Sequence, residues 1–79
     1  MKSYQIIHDI SCNEIFDRGY YTVGDTSKVS NWPSGKYGIL IVCKSSPYTV
    51  QIVITTDSFK FRFNAYNNKD RWENWETLK

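Results

Sequence analysis

A chain of 79 residues has room for one hydrophobic core, so residues 1–79 read as a single small domain, near the size at which burial against a partner subunit begins to matter. Its composition, 41% hydrophobic, 16% aromatic and 23% charged, excludes a disordered segment. A net charge of +2 from scattered cations excludes the strong field of a dedicated DNA-binding module, and the longest apolar run, Tyr37 to Cys43, is far too short to span a bilayer.

In chain order, Met1 to Gln5 lacks the apolar block of a signal peptide, and a soluble chain that inserts into no membrane is expected. Tyr4 to Ile10 is mixed in period and reads as a strand or extended lead-in, with His8 a half-exposed strand residue. Ser11 followed by Glu14 forms a capping box, and Ile10 can staple to Ile15. A short helix is therefore expected from Ser11, with Gly19 as its stop.

Tyr20 to Val23 is rich in β-formers and reads as a strand. From Asp25 to Lys36 the chain is dominated by Thr, Ser, Asn, Pro and Gly, which predicts an irregular loop around the turn Trp32-Pro33-Ser34-Gly35. Tyr37 to Lys44 is apolar on both parities, the pattern of a central strand covered on both faces. After the turn Ser45-Ser46-Pro47, Tyr48 to Thr56 alternates, with Tyr48, Val50, Ile52 and Ile54 expected to face inward.

Phe59 to Ala65 alternates as well, which predicts its three rings inward and Lys60 and Arg62 outward. In the last segment Trp72, Trp75 and Leu78 recur every third position, read as a short strand or turn, with Trp75 as core. The sum is a mainly β fold with one short helix near the N-terminus and a small antiparallel sheet of four to five strands.

Catalytic constellations are missing from this pattern. The acids lie in polar surroundings except Glu73 and Glu76 beside the tryptophans, and those read as a solvated edge rather than an acid/base pair. A nucleophile would depend on His8, the sole histidine, with Cys12 the nearest partner. A metal site would have to use His8, Asp9, Cys12 and Cys43, which lack zinc-module spacing. No cofactor is expected: Gly19, Gly24, Gly35 and Gly38 are dispersed turn residues, not a phosphate loop. Cys12 and Cys43 read most simply as reduced structural thiols, with a single bridge left open.

Two binding chemistries remain. Phe59-Lys60-Phe61-Arg62-Phe63 interleaves rings and cations as single-strand nucleic-acid binders do, but a period of two puts rings and cations on opposite faces. Sugar binding needs an exposed ring to stack on a pyranose, with amides or cations at its rim. Trp32, Tyr66 and Trp72, with Asn67, Asn68 and Arg71, supply those groups and form the candidate ligand site.

The order of the signposts carries a resemblance. Asp9-Ile10 precedes Gly19-Tyr20-Tyr21-Thr22-Val23, then Asn31-Trp32-Pro33, Tyr37-Gly38-Ile39-Leu40-Ile41-Val42, Thr49-Val50-Gln51-Ile52, Phe61-Arg62 and Trp72-Glu73-Asn74-Trp75-Glu76-Thr77-Leu78. From Asp9 onward this succession resembles the pyocin-type knob domain of phage tail fibres and phage-tail-like bacteriocins. It departs from that pattern before Trp72, where Asn67-Asn68-Lys69-Asp70 replaces a longer Gly- or Ser-rich stretch.

The resemblance implies a non-enzymatic β-domain on a fibre of a virion or tail-like particle, commonly homotrimeric, that attaches to a bacterial cell-surface glycan. A structural connector or trimerisation module is the alternative, and a small single-stranded nucleic-acid-binding β-domain a further one. The Trp-x-x-Trp ending looks structural in the resemblance, and its ligand sites are not fixed by the motif.

Overall fold

The computed structural model describes residues 2–6 and 9–78, so the reading of His8 lies outside the described residues. The strands are β1 (Lys2–Gln5), β2 (Ile10–Ser11), β3 (Gly19–Val23), β4 (Val29–Ser30), β5 (Gly38–Ser45), β6 (Tyr48–Thr55), β7 (Phe59–Asn64) and β8 (Glu76–Thr77). Six of them form one sheet in the order β1-β3-β5-β6-β7-β8, while β2 and β4 make a two-residue parallel ladder apart from it. The main sheet is mixed: β1 runs parallel to β3, and every other neighbour is antiparallel. This corrects the expected antiparallel sheet of four to five strands. The two additions are its short edges, where the lead-in and the C-terminal segment each pair with a longer strand.

The expected N-terminal helix is absent. Ser11 does cap, its Oγ accepting from the Asn13 amide at 3.1 Å, but the turn that follows is a 3₁₀ turn over Cys12–Glu14, closed by the Ile15 amide on the Cys12 carbonyl at 3.2 Å. The tighter turn has a reason in the core. A three-residue repeat brings Cys12 and Ile15, both buried, to the same side, and one or two α-turns would be marginal without further packing. Gly19 then opens β3 instead of closing a helix. A second 3₁₀ turn, Thr26–Lys28, is capped by Asp25, whose carboxylate accepts from the Ser27 amide and hydroxyl and is held below its ordinary pKa by those bonds.

The core lies on one side of the sheet. Tyr21, Val23, Leu40, Val42 and Val53 line it from the strands, and Cys12, Ile15 and Val29 close it from the connections, with Ile6, Ile10, Trp32 and Trp75 packed around. Tyr4 stacks on Tyr21 with ring centroids 4.8 Å apart, and the Tyr21 hydroxyl donates to the Asp17 carbonyl at 2.6 Å. Gly38 permits the close approach of β5 to β6, since a Cβ there would strike the Ile54 carbonyl oxygen.

Face by face, the strand predictions are inverted. On β6 the buried residues are Thr49, Gln51 and Val53, and on β7 they are Arg62 and Asn64. Tyr48, Val50, Ile52 and Ile54, with Phe59, Phe61 and Phe63, occupy the other face together with Tyr20, Ile39, Ile41 and Cys43. That face has no cover among the described residues: Ile39 is 44% exposed, Phe59 41% and Phe63 38%. So β5 is covered on one face rather than on both.

The cause is what lies over the core side. Its cover is loop rather than sheet or helix, and loop backbone brings amides and carbonyls that must be paired. Gln51 Nε2 donates to the carbonyls of Cys12 and Ile15 at 2.8 and 2.9 Å. Asn64 donates to the Asn68 carbonyl at 2.7 Å and accepts from the Tyr66 amide at 3.0 Å. Phenylalanines in those positions would leave the loops unsatisfied.

Candidate functional site

The three tryptophans converge on the loop-covered side, and each indole N–H donates to a loop carbonyl: Trp32 to Lys36 at 2.8 Å, Trp72 to Asn13 at 3.0 Å, and Trp75 to Asn31 at 3.2 Å. Asn31 sits in the left-handed region, at φ 62°, where asparagine is among the better-tolerated side chains. Its side-chain amide donates to Ser11 Oγ at 2.9 Å, which fixes the Trp32 loop against the Cys12–Glu14 turn. The C-terminal segment is placed by the Glu73 amide on the Phe63 carbonyl, 2.9 Å, and by the ladder of β8 on β7.

Arg62 is the centre of this arrangement. Only 5% exposed, it lies between Trp72 and Trp75, its guanidinium carbon 4.3 and 4.4 Å from the two ring centroids. Its Nε donates to Gln51 Oε1 at 2.8 Å, so Gln51 bridges the cation to the loop carbonyls. Burial draws the Arg62 pKa down to about 10, which still leaves it cationic at neutral pH. No carboxylate is paired with it among the described residues; the ring faces supply the compensating negative potential.

Beside this ladder opens a cleft of about 480 Å³. Trp32, Trp72, Trp75 and Arg62 line it, with Asn13, Asn31 and Asp70 among the polar groups at its walls. Two buried polar atoms of lining residues have no partner: the acceptor Asn13 Oδ1 and the donor Arg62 Nη2. The rings differ in availability. Trp72 is covered on both faces, by Phe16 at 5.2 Å and by Arg62, and Trp75 gives one face to Arg62. Trp32 is half-buried and has no stacking ring or cation among the described residues.

Of the sequence-predicted site, Trp32 and Trp72 meet in this cleft, while Tyr66, Asn67, Asn68 and Arg71 do not line it. Those four belong to the β7–β8 connection. Arg71 stacks over Tyr66 at 4.2 Å, Asn67 Oδ1 accepts from Lys44 Nζ at 3.0 Å, and Asn68 accepts from the Asp70 amide at 2.9 Å. Sequence reasoning missed Arg62, Asn13 and Asn31 as site residues. The signal for Arg62 was present in Phe59-Lys60-Phe61-Arg62-Phe63 and was assigned to the wrong face. For the two asparagines no signal existed, because the β2–β4 ladder that brings their loops together is only two residues long.

The described residues hold no cluster of three or more His, Cys, Asp or Glu placed to bind a metal ion, and none of their helices is long and apolar enough to cross a membrane. Both cysteines are free thiols: Cys12 is buried, which pushes its pKa up to about 11 against a smaller opposing pull from Arg62, and Cys43 is exposed. Compared with family models, with curated proteins and with solved structures, the chain matches none.

Proposed function

We propose that this chain is a non-enzymatic attachment domain of a phage tail fibre or tail-like particle, which binds a bacterial envelope glycan in the cleft at Trp32. The observation that carries the reading is the cleft itself, where the half-buried Trp32, on whose ring no aromatic or cation stacks among the described residues, stands among polar side chains. A sugar hydroxyl is donor and acceptor at once, and so can pair with amide and carboxylate groups of the cleft while the pyranose face lies on Trp32. Asn31 and Asp70 stand where further hydroxyls need partners.

The resemblance carried by the ordered motifs supplies the fibre context and the homotrimer. Within that context a connector or trimerisation module is the second reading, favoured by the uncovered apolar face of the sheet. Single-stranded nucleic acid is less well supported: Phe59, Phe61 and Phe63 are accessible, but Lys60 and Arg62 project from the opposite face.

An array of bacterial envelope glycans probed with the labelled chain and with Trp32→Ala tests the proposal. The expected result is a subset of glycans whose signal falls at least about tenfold in the variant, the loss that removing a stacking ring brings. No binding by the parent chain, together with normal adsorption of particles lacking the domain, would overturn it.

A further inference from the structure

The cleft at Trp32 lies between parts of the chain that are distant in sequence. One wall is the C-terminal segment with Trp72 and Trp75, and the other is a pair of loops with Asn13, Asn31 and Trp32. Two indole hydrogen bonds cross from wall to wall: Trp72 Nε1 donates to the Asn13 carbonyl at 3.0 Å, and Trp75 Nε1 to the Asn31 carbonyl at 3.2 Å. Each depends on the tilt of its ring, because an indole N–H lies in the ring plane and swings off its acceptor when the ring turns.

Arg62 fixes both tilts. Its guanidinium carbon stands 4.3 Å from the Trp72 centroid and 4.4 Å from that of Trp75, so one planar cation indexes two rings. Phe16 also stacks on Trp72, at 5.2 Å, whereas Trp75 has no stacking ring among the described residues and depends on Arg62 the more. The cation is anchored in turn by Nε on Gln51 Oε1 at 2.8 Å, and Gln51 Nε2 reaches the carbonyls of Cys12 and Ile15. Three carbonyls of one turn, those of Cys12, Asn13 and Ile15, are therefore held by side chains that touch Arg62.

The other loop follows from the first. Ser11 Oγ accepts from the Asn13 amide at 3.1 Å and from Asn31 Nδ2 at 2.9 Å, which ties the two loops together, and Trp32 is the next residue along. Arg62 itself offers a ligand almost no surface: it is 5% exposed, and its Nη2 is buried. We infer that Arg62 is the positioning residue of the cleft. Through Trp75 and Asn31, and through Trp72, Gln51 and the Cys12–Ile15 turn, it sets the Trp32 ring against the C-terminal wall, so that glycan affinity depends on a side chain that makes no contact with sugar. The effect on affinity rests on the glycan reading, and the placement of the walls does not.

A lysine keeps the charge but has no flat face to stack on two rings and no Nε fork for Gln51, which makes Arg62→Lys the discriminating variant. Val53→Ala is its control, a cavity in the core of β6 at a residue that does not line the cleft. The test follows the indole N–H signals and the Asn31 amide signal of the whole isotope-labelled chain by nuclear magnetic resonance. Titration adds the Kd for the array glycan that the parent chain binds most strongly. In Arg62→Lys of native circular dichroism the Trp32, Trp75 and Asn31 signals are expected to move and Kd to rise at least about fivefold, whereas Val53→Ala leaves those signals in place and Kd within about twofold.

Trp75→Phe serves in the same way should Arg62→Lys fail to fold, since it keeps a ring on Arg62 and removes the bond to Asn31. Trp32 and Asn31 signals that stay in place overturn the inference, as does an unchanged Kd with displaced signals. An equal loss of affinity in Val53→Ala overturns it too, because the effect then follows stability rather than position. A parent chain that binds no array glycan overturns the glycan reading alone, and the loop signals then decide whether Arg62 places the walls.

Discussion

The two faces of the main sheet reverse the usual order of a small β-domain. The covered face holds Thr49, Gln51, Arg62 and Asn64 beside its valines and leucine, and the open face holds isoleucines, phenylalanines and tyrosines. The difference teaches that a strand's buried parity is set by its cover. Loops bring unpaired backbone and require amides and a cation beneath them, whereas apolar rows fit a second sheet face.

Neighbours on β5 give the strongest way to break this comparison. Leu40 is fully buried and Ile41 sits on the open face, so Leu40→Asp puts a charge into a core without a partner, while Ile41→Asp meets water in the isolated chain. Leu40→Asp is expected to cost more than about 4 kcal/mol and to abolish the native circular dichroism. Ile41→Asp is expected to keep that spectrum. Equal loss of fold in both variants would mean that the open face is as integral to the single chain as the covered one.

The polar half of the covered face is tested by Gln51. Replacing it with leucine fills similar space but strands the Cys12 and Ile15 carbonyls and removes the acceptor of Arg62 Nε. Urea unfolding should show a loss of about 2–4 kcal/mol, since buried groups left unpaired cost more than a paired bond contributes. A neutral or stabilising effect would show that the loop carbonyls find other partners, and that polarity on this face is tolerated rather than required.

What the sequence disclosed and what it hid divide along the same line. The long strands, the hairpin at Ser46-Pro47 and the turn at Asp57 were legible because alternation and turn residues are local properties. The parity of burial was not: Phe59-Lys60-Phe61-Arg62-Phe63 alternates perfectly either way, and only the loops above Arg62, distant in sequence, select the face. The helix failed because Ser11 and Glu14 signal a cap without stating how far the helix continues. In the site, Trp32 and Trp72 were legible as ring chemistry, yet Trp72 is consumed by Phe16 and Arg62, and Tyr66, Asn67, Asn68 and Arg71 turn to each other and to Lys44.

The smallest effect expected comes from the thiol beneath the loops. Cys12 is buried, and its pKa is raised from 9.0 to about 11, chiefly because burial disfavours the thiolate. For an acid whose folded pKa is raised, the fold favours the protonated form, so the contribution is complete below pH 9 and is lost as pH climbs from 9 toward 11. At pH 10 the unfolded thiol is mostly ionised and the folded one is not, which makes the loss about 1.4 kcal/mol. Tyr21, raised to about 12 by burial, adds loss in the same direction only above pH 10, the region in which Arg62 begins to act oppositely. Urea midpoints measured from pH 8 to 10 in a Cys43→Ser background therefore isolate Cys12. The slope should vanish in Cys12→Ala even though that variant is less stable throughout. A slope that survives the substitution would assign the alkaline sensitivity to another group and leave Cys12 as a packing residue alone.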